Sequence, residues 1–236
     1  MLRKKAFCLL MTVSAFFGLM ACHAQRPAES AAQEQQASSA SLGTSMHLKR
    51  IAEFNEPWAL AVLPDGRLLI TERSGQLILF NPIDQTKTLI RNIPKVAYGG
   101  QGGLGDIVLH PEFAQNHQIY LSYAEAGQDG YGAVVIRADL NLDQTQPKLD
   151  NLKTIWKQVP KVRGQGHYAH RILFDSAGKL WISSGERQKF DPAQDLTSNL
   201  GKIISLNDDG SVALDNPFQT QGISQNKYGV WGIVIL

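Results

Sequence analysis

A chain of 236 residues, 43% hydrophobic and 19% charged, has the composition of a globular protein with one core of substantial size, which excludes a largely disordered chain. Its formal net charge of +2 leans on Arg3, Lys4 and Lys5; a mature chain starting at Cys22 loses those three of the 23 basic residues and none of the 21 acidic ones. Near neutrality of that kind excludes nucleic acid as the expected partner.

Residues 1–22, "MLRKKAFCLLMTVSAFFGLMAC", run from a basic start through an apolar stretch to small residues. The apolar stretch is too short to span a bilayer comfortably, so it reads as an export signal. "LMAC" has the form of a bacterial lipobox, which makes Cys22 the acylated first mature residue; cleavage after Ala24 is the competing reading. The expected location is the periplasm or outer membrane, with a lipid anchor. Cys8 leaves with the signal and Cys22 stands at the end, so the domain has no disulfide. Residues 23–45 are rich in Ala, Gln and Ser, with Leu42 their one large apolar residue, and predict a flexible tether. The domain then occupies residues 46–236.

Beyond the tether, short apolar runs alternate with turn signals. "WALAVLPDGRLLITERSGQLILFN", residues 58–81, predicts three strands, with Pro64-Asp65-Gly66 and Ser74-Gly75 as tight turns. The phrase recurs as "DIVLHPEFAQNHQIYLSYAEA" from Asp106, "HRILFDSAGKLWISSGER" from His170 and a shorter "GKIISLNDDGSVAL" from Gly201. No amphipathic helix is predicted. A strand-turn-strand unit repeated every ~45 to 65 residues predicts an all-β fold made of successive β-propeller blades; a sandwich needs no repeated phrase. At about 40 to 50 residues per blade, the domain holds about three to four blades. That is fewer than a closed ring usually has, and "NKYGVWGIVIL" ends on consecutive apolar residues. The expectation is a propeller incomplete at its C-terminus, poorly stable and prone to associate.

One stretch concentrates the chemistry. His167 precedes the expected strand "RILF" (residues 171–174), and Glu186 follows the expected strand "KLWISSG" (residues 179–185). In an antiparallel pair the start of one strand lies beside the end of the next, so a base and an orienting carboxylate come within reach, as general-base chemistry needs.

Four ordered segments, "QGGLGDIVLHPEF" (residues 101–113), "HYAHRILFDSAGKLWISSGE" (167–186), "AQDLTSNLGKIISLNDDG" (193–210) and "DNPF" (215–218), resemble the glucose/sorbosone dehydrogenase family of pyrroloquinoline quinone (PQQ)-dependent soluble aldose sugar dehydrogenases. The resemblance covers about residues 50–231. It implies a six-bladed β-propeller that oxidises aldoses to lactones, passing hydride to the quinone and electrons on to an external acceptor. It implies His167 as general base, Glu186 as the acid holding the other ring nitrogen, Gln101 as a contact to quinone and sugar, Asp191 as a cofactor-side polar residue and Arg171 as structural. His170 stands where a glycine is common in the family. The family pattern continues past Trp231 into cationic residues for the quinone carboxylates and ligands for calcium. The chain thus reads as an N-terminal portion, with calcium ligands expected beyond its C-terminus.

The plainer readings differ. His110 packs or caps a turn rather than binding metal, and Trp58, Trp156, Trp181 and Trp231 fill core rather than stack on a quinone. The other functional readings are a non-catalytic anchored propeller fragment or pseudogene product, and a calcium-dependent lactonase-type hydrolase. The hydrolase needs acids and asparagines converging on a metal, a set the sequence does not assign.

Overall fold

The computed structural model describes residues 48–143, 145–213, 216 and 229–231. The export signal, Cys22 and the tether lie outside these residues, as do Asp215, Pro217 and Phe218 and the last five positions. Among the described residues the chain forms three four-stranded antiparallel sheets, each a meander in chain order. The first comprises β1 (Pro57–Val62), β2 (Leu68–Glu72), β3 (Gln76–Phe80) and β4 (Lys87–Ile90). The second comprises β5 (Leu104–Leu109), β6 (Gln118–Gly127), β7 (Gly130–Asn141) and β8 (Lys148–Lys157). The third comprises β9 (Ala169–Phe174), β10 (Leu180–Ser184), β11 (Lys202–Leu206) and β12 (Gly229–Trp231). A single helical turn, α1 (Phe113–Asn116), and one 3₁₀ turn, Asp191–Ala193, are the helical elements of the described residues.

The repeated phrase of the sequence is a repeated turn. Leu63, Asp175 and Asn207 each donate their N–H to the carbonyl four residues on, and Gly66, Gly178 and Gly210 each donate back to them. These glycines sit at φ +86°, +79° and +86°, the left-handed region that closes a hairpin at no steric cost. In the second sheet the turn is widened: His110 donates to Gln118 O across α1. The fourth recurrence, from Gly201, falls inside the third sheet as β11 and its turn, so the described residues form three blades.

A second repeat joins the blades. Thr71 Oγ1 accepts the N–H of Ala59 at 3.0 Å and donates to Gly105 O at 2.7 Å, tying β2 to its own first strand and to the next sheet's. Ser122 Oγ does the same one blade later, accepting Asp106 N–H at 2.8 Å and donating to His170 O at 2.7 Å. Each first strand carries a bulge where these bonds form, between Pro57 and Ala59, between Leu104 and Ile107, and opposite Ile182 and Ser184. Leu69, Leu77, Ile107, Leu121 and Val134 pack between the first two sheets. Tyr120, Val135, Trp156, Ile172, Ile182 and Ile204 pack between the second and third.

Candidate active site

His167 lies two residues before β9 and Glu186 two residues after β10, and the strand pairing brings them together. The imidazole Nδ1 contacts Glu186 Oε1 directly. Glu186 Oε2 accepts the N–H groups of Lys189 at 2.6 Å and Phe190 at 3.0 Å, so both oxygens of this buried carboxylate are engaged. Burial pushes its pKa up, but the hydrogen bonds from His167 and from the backbone of Phe190, Lys189 and Gln188 outweigh that and hold it below the ordinary carboxylate value. An ionised Glu186 fixes the His167 tautomer with the proton on Nδ1, which leaves Nε2 as the basic nitrogen. The His167 side chain is 39% exposed, so the ring is held yet reachable.

Two features permit this geometry. An added Cβ at Gly185 would lie 1.9 Å from the His167 carbonyl, so only glycine lets the end of β10 run against the His167 segment. The backbone is left-handed at His167 (φ 48°), Ala169 (φ 69°) and His170 (φ 72°), and again at Arg187, Gln188 and Phe190. Non-glycine residues in that region cost roughly 1 to 3 kcal/mol each and cluster where a site must be held in shape. The left-handed φ at His170 is also why a glycine suits that position.

Gln101 reaches the same place from the first turn of the second blade: its Oε1 accepts the His167 N–H at 2.7 Å, and its own N–H donates to Gln165 O at 2.8 Å. Gln101, His167, Tyr168, His170, Gly185 and Trp58 line a cavity of about 330 Å³. His170 is 3% exposed, stacked on Tyr168 at 5.2 Å between ring centres and edge-on to Trp58 at 5.9 Å, and neither ring nitrogen has a hydrogen-bond partner. Burial, with the nearby Arg187 charge, lowers its pKa to about 3, so it is neutral at physiological pH.

Two expectations need correction. Asp191 does not join the cavity: the turn made by the Lys189 and Phe190 bonds to Glu186 carries it to an exposed place at the start of the 3₁₀ helix. Trp58 is a cavity wall rather than core, and Arg171 stacks over it at 4.4 Å while bonding Asp106 at 3.4 Å. Trp156 is fully buried core, and His110 accepts the Glu112 N–H at 3.0 Å, as a turn cap does. Tyr168, His170 and Trp58 had no signal in spacing, because each contributes through inter-blade packing. Among the described residues no cluster of three or more His, Cys, Asp or Glu could hold a metal ion.

Comparison with known proteins places these residues in a family context. The sequence profile of the family described as "Glucose / Sorbosone dehydrogenase" matches residues 54–233. The aldose sugar dehydrogenase YliI of Escherichia coli is 36% identical over 182 residues, covering 77% of this chain and 49% of the relative. The apo-form crystal structure of the soluble aldose sugar dehydrogenase of Escherichia coli superposes with a TM-score of 0.70 at 37% identity, over 75% of this chain and 50% of that one. The PQQ-bound form of aldose sugar dehydrogenase from Streptomyces coelicolor gives a TM-score of 0.68 at 29% identity, over 78% and 52%. The chain therefore spans about half the length of the relatives it matches.

Proposed function

The chain belongs to the glucose/sorbosone dehydrogenase family, and from that premise we propose that it serves in the oxidation of aldose sugars to lactones with PQQ as the hydride acceptor and His167 as general base. The observation that carries the reading is the contact of His167 with the buried Glu186 at the edge of a cavity that Gln101 also lines. The donor set fits the reactive edge of the quinone and a sugar: an amide, an imidazole and aromatic walls around about 330 Å³. The cavity wall contains no lysine or arginine among the described residues, so it matches the ring and carbonyl edge rather than the quinone carboxylates. Gln101 and His167 would hold that edge.

When bound, the quinone would supply the acceptor for hydride. His167 Nε2 takes the proton of the sugar's anomeric hydroxyl while hydride leaves the anomeric carbon, and the carbon–oxygen double bond of the lactone forms. Glu186 stabilises the imidazolium that results, because its charge already sits against Nδ1. Gln101 fixes the backbone of His167 and so the height of the ring over the cavity. Electrons would pass from the bound quinone to an external acceptor, and calcium is the proposed companion ion. Residues 1–22, with their basic start, apolar run and "LMAC", support the further proposal of export and acylation at Cys22.

The test is dye-linked turnover of an aldose by the purified chain with PQQ and calcium added. His167→Ala is expected to lower turnover by roughly 10² to 10⁴-fold, the usual share of a general base. Glu186→Gln is expected to cost less, since the ring keeps a neutral partner. A His167→Ala protein with full turnover at saturating sugar would refute the assignment.

A further inference from the structure

The pair Glu72-Arg73 recurs as Glu186-Arg187, and the fold makes the two arginines equivalent. Each follows the second strand of its sheet and donates its backbone N–H to a residue just before the first strand: Arg73 to Glu56 O at 3.1 Å, Arg187 to His167 O at 3.3 Å. Glu56 and His167 share a left-handed backbone, φ 45° and 48°.

The side chains repeat the correspondence. Arg187 is 1% exposed; its Nε donates to Gly166 O at 2.7 Å, its Nη2 to Gly164 O at 2.6 Å and its Nη1 to Tyr131 O at 2.7 Å. Its guanidinium lies 3.6 Å from the centre of the Tyr168 ring. The segment between the gripped carbonyls and that ring is the one that carries His167. Arg73 Nη2 donates to Gly100 O and, at 3.3 Å, to Gly102 O, the two residues that flank Gln101, and the guanidinium stands 5.5 Å from the Tyr98 ring. Burying a cation without a carboxylate is costly, and in Arg187 the described hydrogen bonds all run to carbonyl and amide oxygens, the fourth being to Gln158 at 3.4 Å. A cation spent on backbone carbonyls fixes the path of a loop.

We propose that Arg73 and Arg187 are paired positioning residues. Arg73 holds the loop of Gln101 and Arg187 holds the loop of His167, and the two loops meet in register at the hydrogen bond from His167 N–H to Gln101 Oε1. Lysine cannot reproduce either hold: Arg187 spreads its carbonyls over three nitrogens of a planar fork, and Arg73 sets Nη2 on Gly100 O and Gly102 O while Nη1 pairs with Glu56 Oε1 at 3.0 Å, whereas an ammonium offers donors from a single point.

The experiment compares Arg187→Lys and Arg73→Lys in the full chain by proton NMR and by steady-state kinetics. In the wild type, the His167 Nδ1–H held by Glu186 is expected to give a far-downfield signal. Arg187→Lys is expected to lose that signal and to lower kcat by up to about 10²-fold, the cost of a misplacement of ~1 Å, with KM for sugar little changed. Arg73→Lys is expected to keep the signal and to raise KM with a smaller loss of kcat, because Gln101 shifts and the base loses that one bond but keeps Glu186 and the Arg187 grip. An Arg187→Lys protein that retains both signal and kcat overturns the proposal. If that variant does not fold, the wild-type spectrum decides: separate, slowly exchanging Nη1 and Nη2 signals for Arg187 support the grip, and one averaged signal overturns it. The kinetic half rests on the proposed sugar oxidation. A wild-type chain that oxidises no sugar, with the signal still lost in Arg187→Lys, refutes that reading and leaves the positioning role standing.

Discussion

His170 carries a consequence for acid stability. Its folded pKa of about 3 lies far below the 6.5 of an ordinary histidine. Above pH 6.5 the ring is neutral whether the chain is folded or not, and it has no effect. As pH falls below 6.5 the unfolded chain binds a proton that the folded chain refuses, so stability drops until the folded ring also titrates. At about 1.4 kcal/mol per pKa unit, the loss amounts to several kcal/mol. Glu186 acts in a lower window: its depressed pKa contributes stability above the ordinary carboxylate value of 4.5 and loses it as pH falls through the folded value. His170→Asn keeps a residue that tolerates the left-handed backbone and removes the titration. Urea midpoints followed from pH 7 to pH 5 should fall clearly for wild type and much less for His170→Asn; parallel curves would mean that the ring finds a proton-compatible partner in solution.

At the scale of elements, the blade joints are single hydroxyls. Thr71→Val removes the donor to Gly105 O and the acceptor for Ala59 N–H, and Ser122→Ala does the same to His170 O and Asp106 N–H. Each leaves buried backbone groups unpaired, so each is expected to cost about 1 to 3 kcal/mol in chemical denaturation, with the two costs coupled rather than additive because the joints grip the two sides of one peptide unit, Gly105 O and Asp106 N–H. A double variant as stable as wild type would show that the blades do not depend on these joints. The joints also mark how far the sequence could be read. The Pro/Asp/Gly phrases located the hairpins because left-handed glycines are chemically required there, and antiparallel geometry permitted the approach of His167 to Glu186. The long β7–β8 ladder left no clean signal: bulges at Val135 and Ile136 and between Arg137 and Asp139 break the alternation, and β8 exposes residues 151–154. Trp58, Tyr168 and the two arginines were illegible for another reason: each acts through a partner on a different loop or sheet, which spacing within one phrase cannot reveal.

For the whole molecule, the first strands of the sheets decide solution behaviour. β1 alternates Trp58, Leu60 and Val62 on one face, and β9 alternates Arg171 and Leu173, with Arg171 stacked over Trp58. Leu60, Val62 and Leu173 are 52%, 59% and 53% exposed, so an apolar stripe runs from the cavity wall along the first strands of two sheets. Large exposed apolar side chains grouped on strands favour association rather than solvation. The chain is expected to self-associate as its concentration rises, with the stripe at the contact. Leu60→Ser, Val62→Thr and Leu173→Ser together should shift sedimentation toward a monomer while leaving Tm nearly unchanged, because these side chains bury little in the described fold. The far-downfield His167 signal should persist in that triple variant, since none of the three residues touches Glu186, Arg187 or Gln101. A wild-type chain that sediments as a monomer at all concentrations would show that the stripe is already covered, and a triple variant that associates like wild type would move the contact to another face.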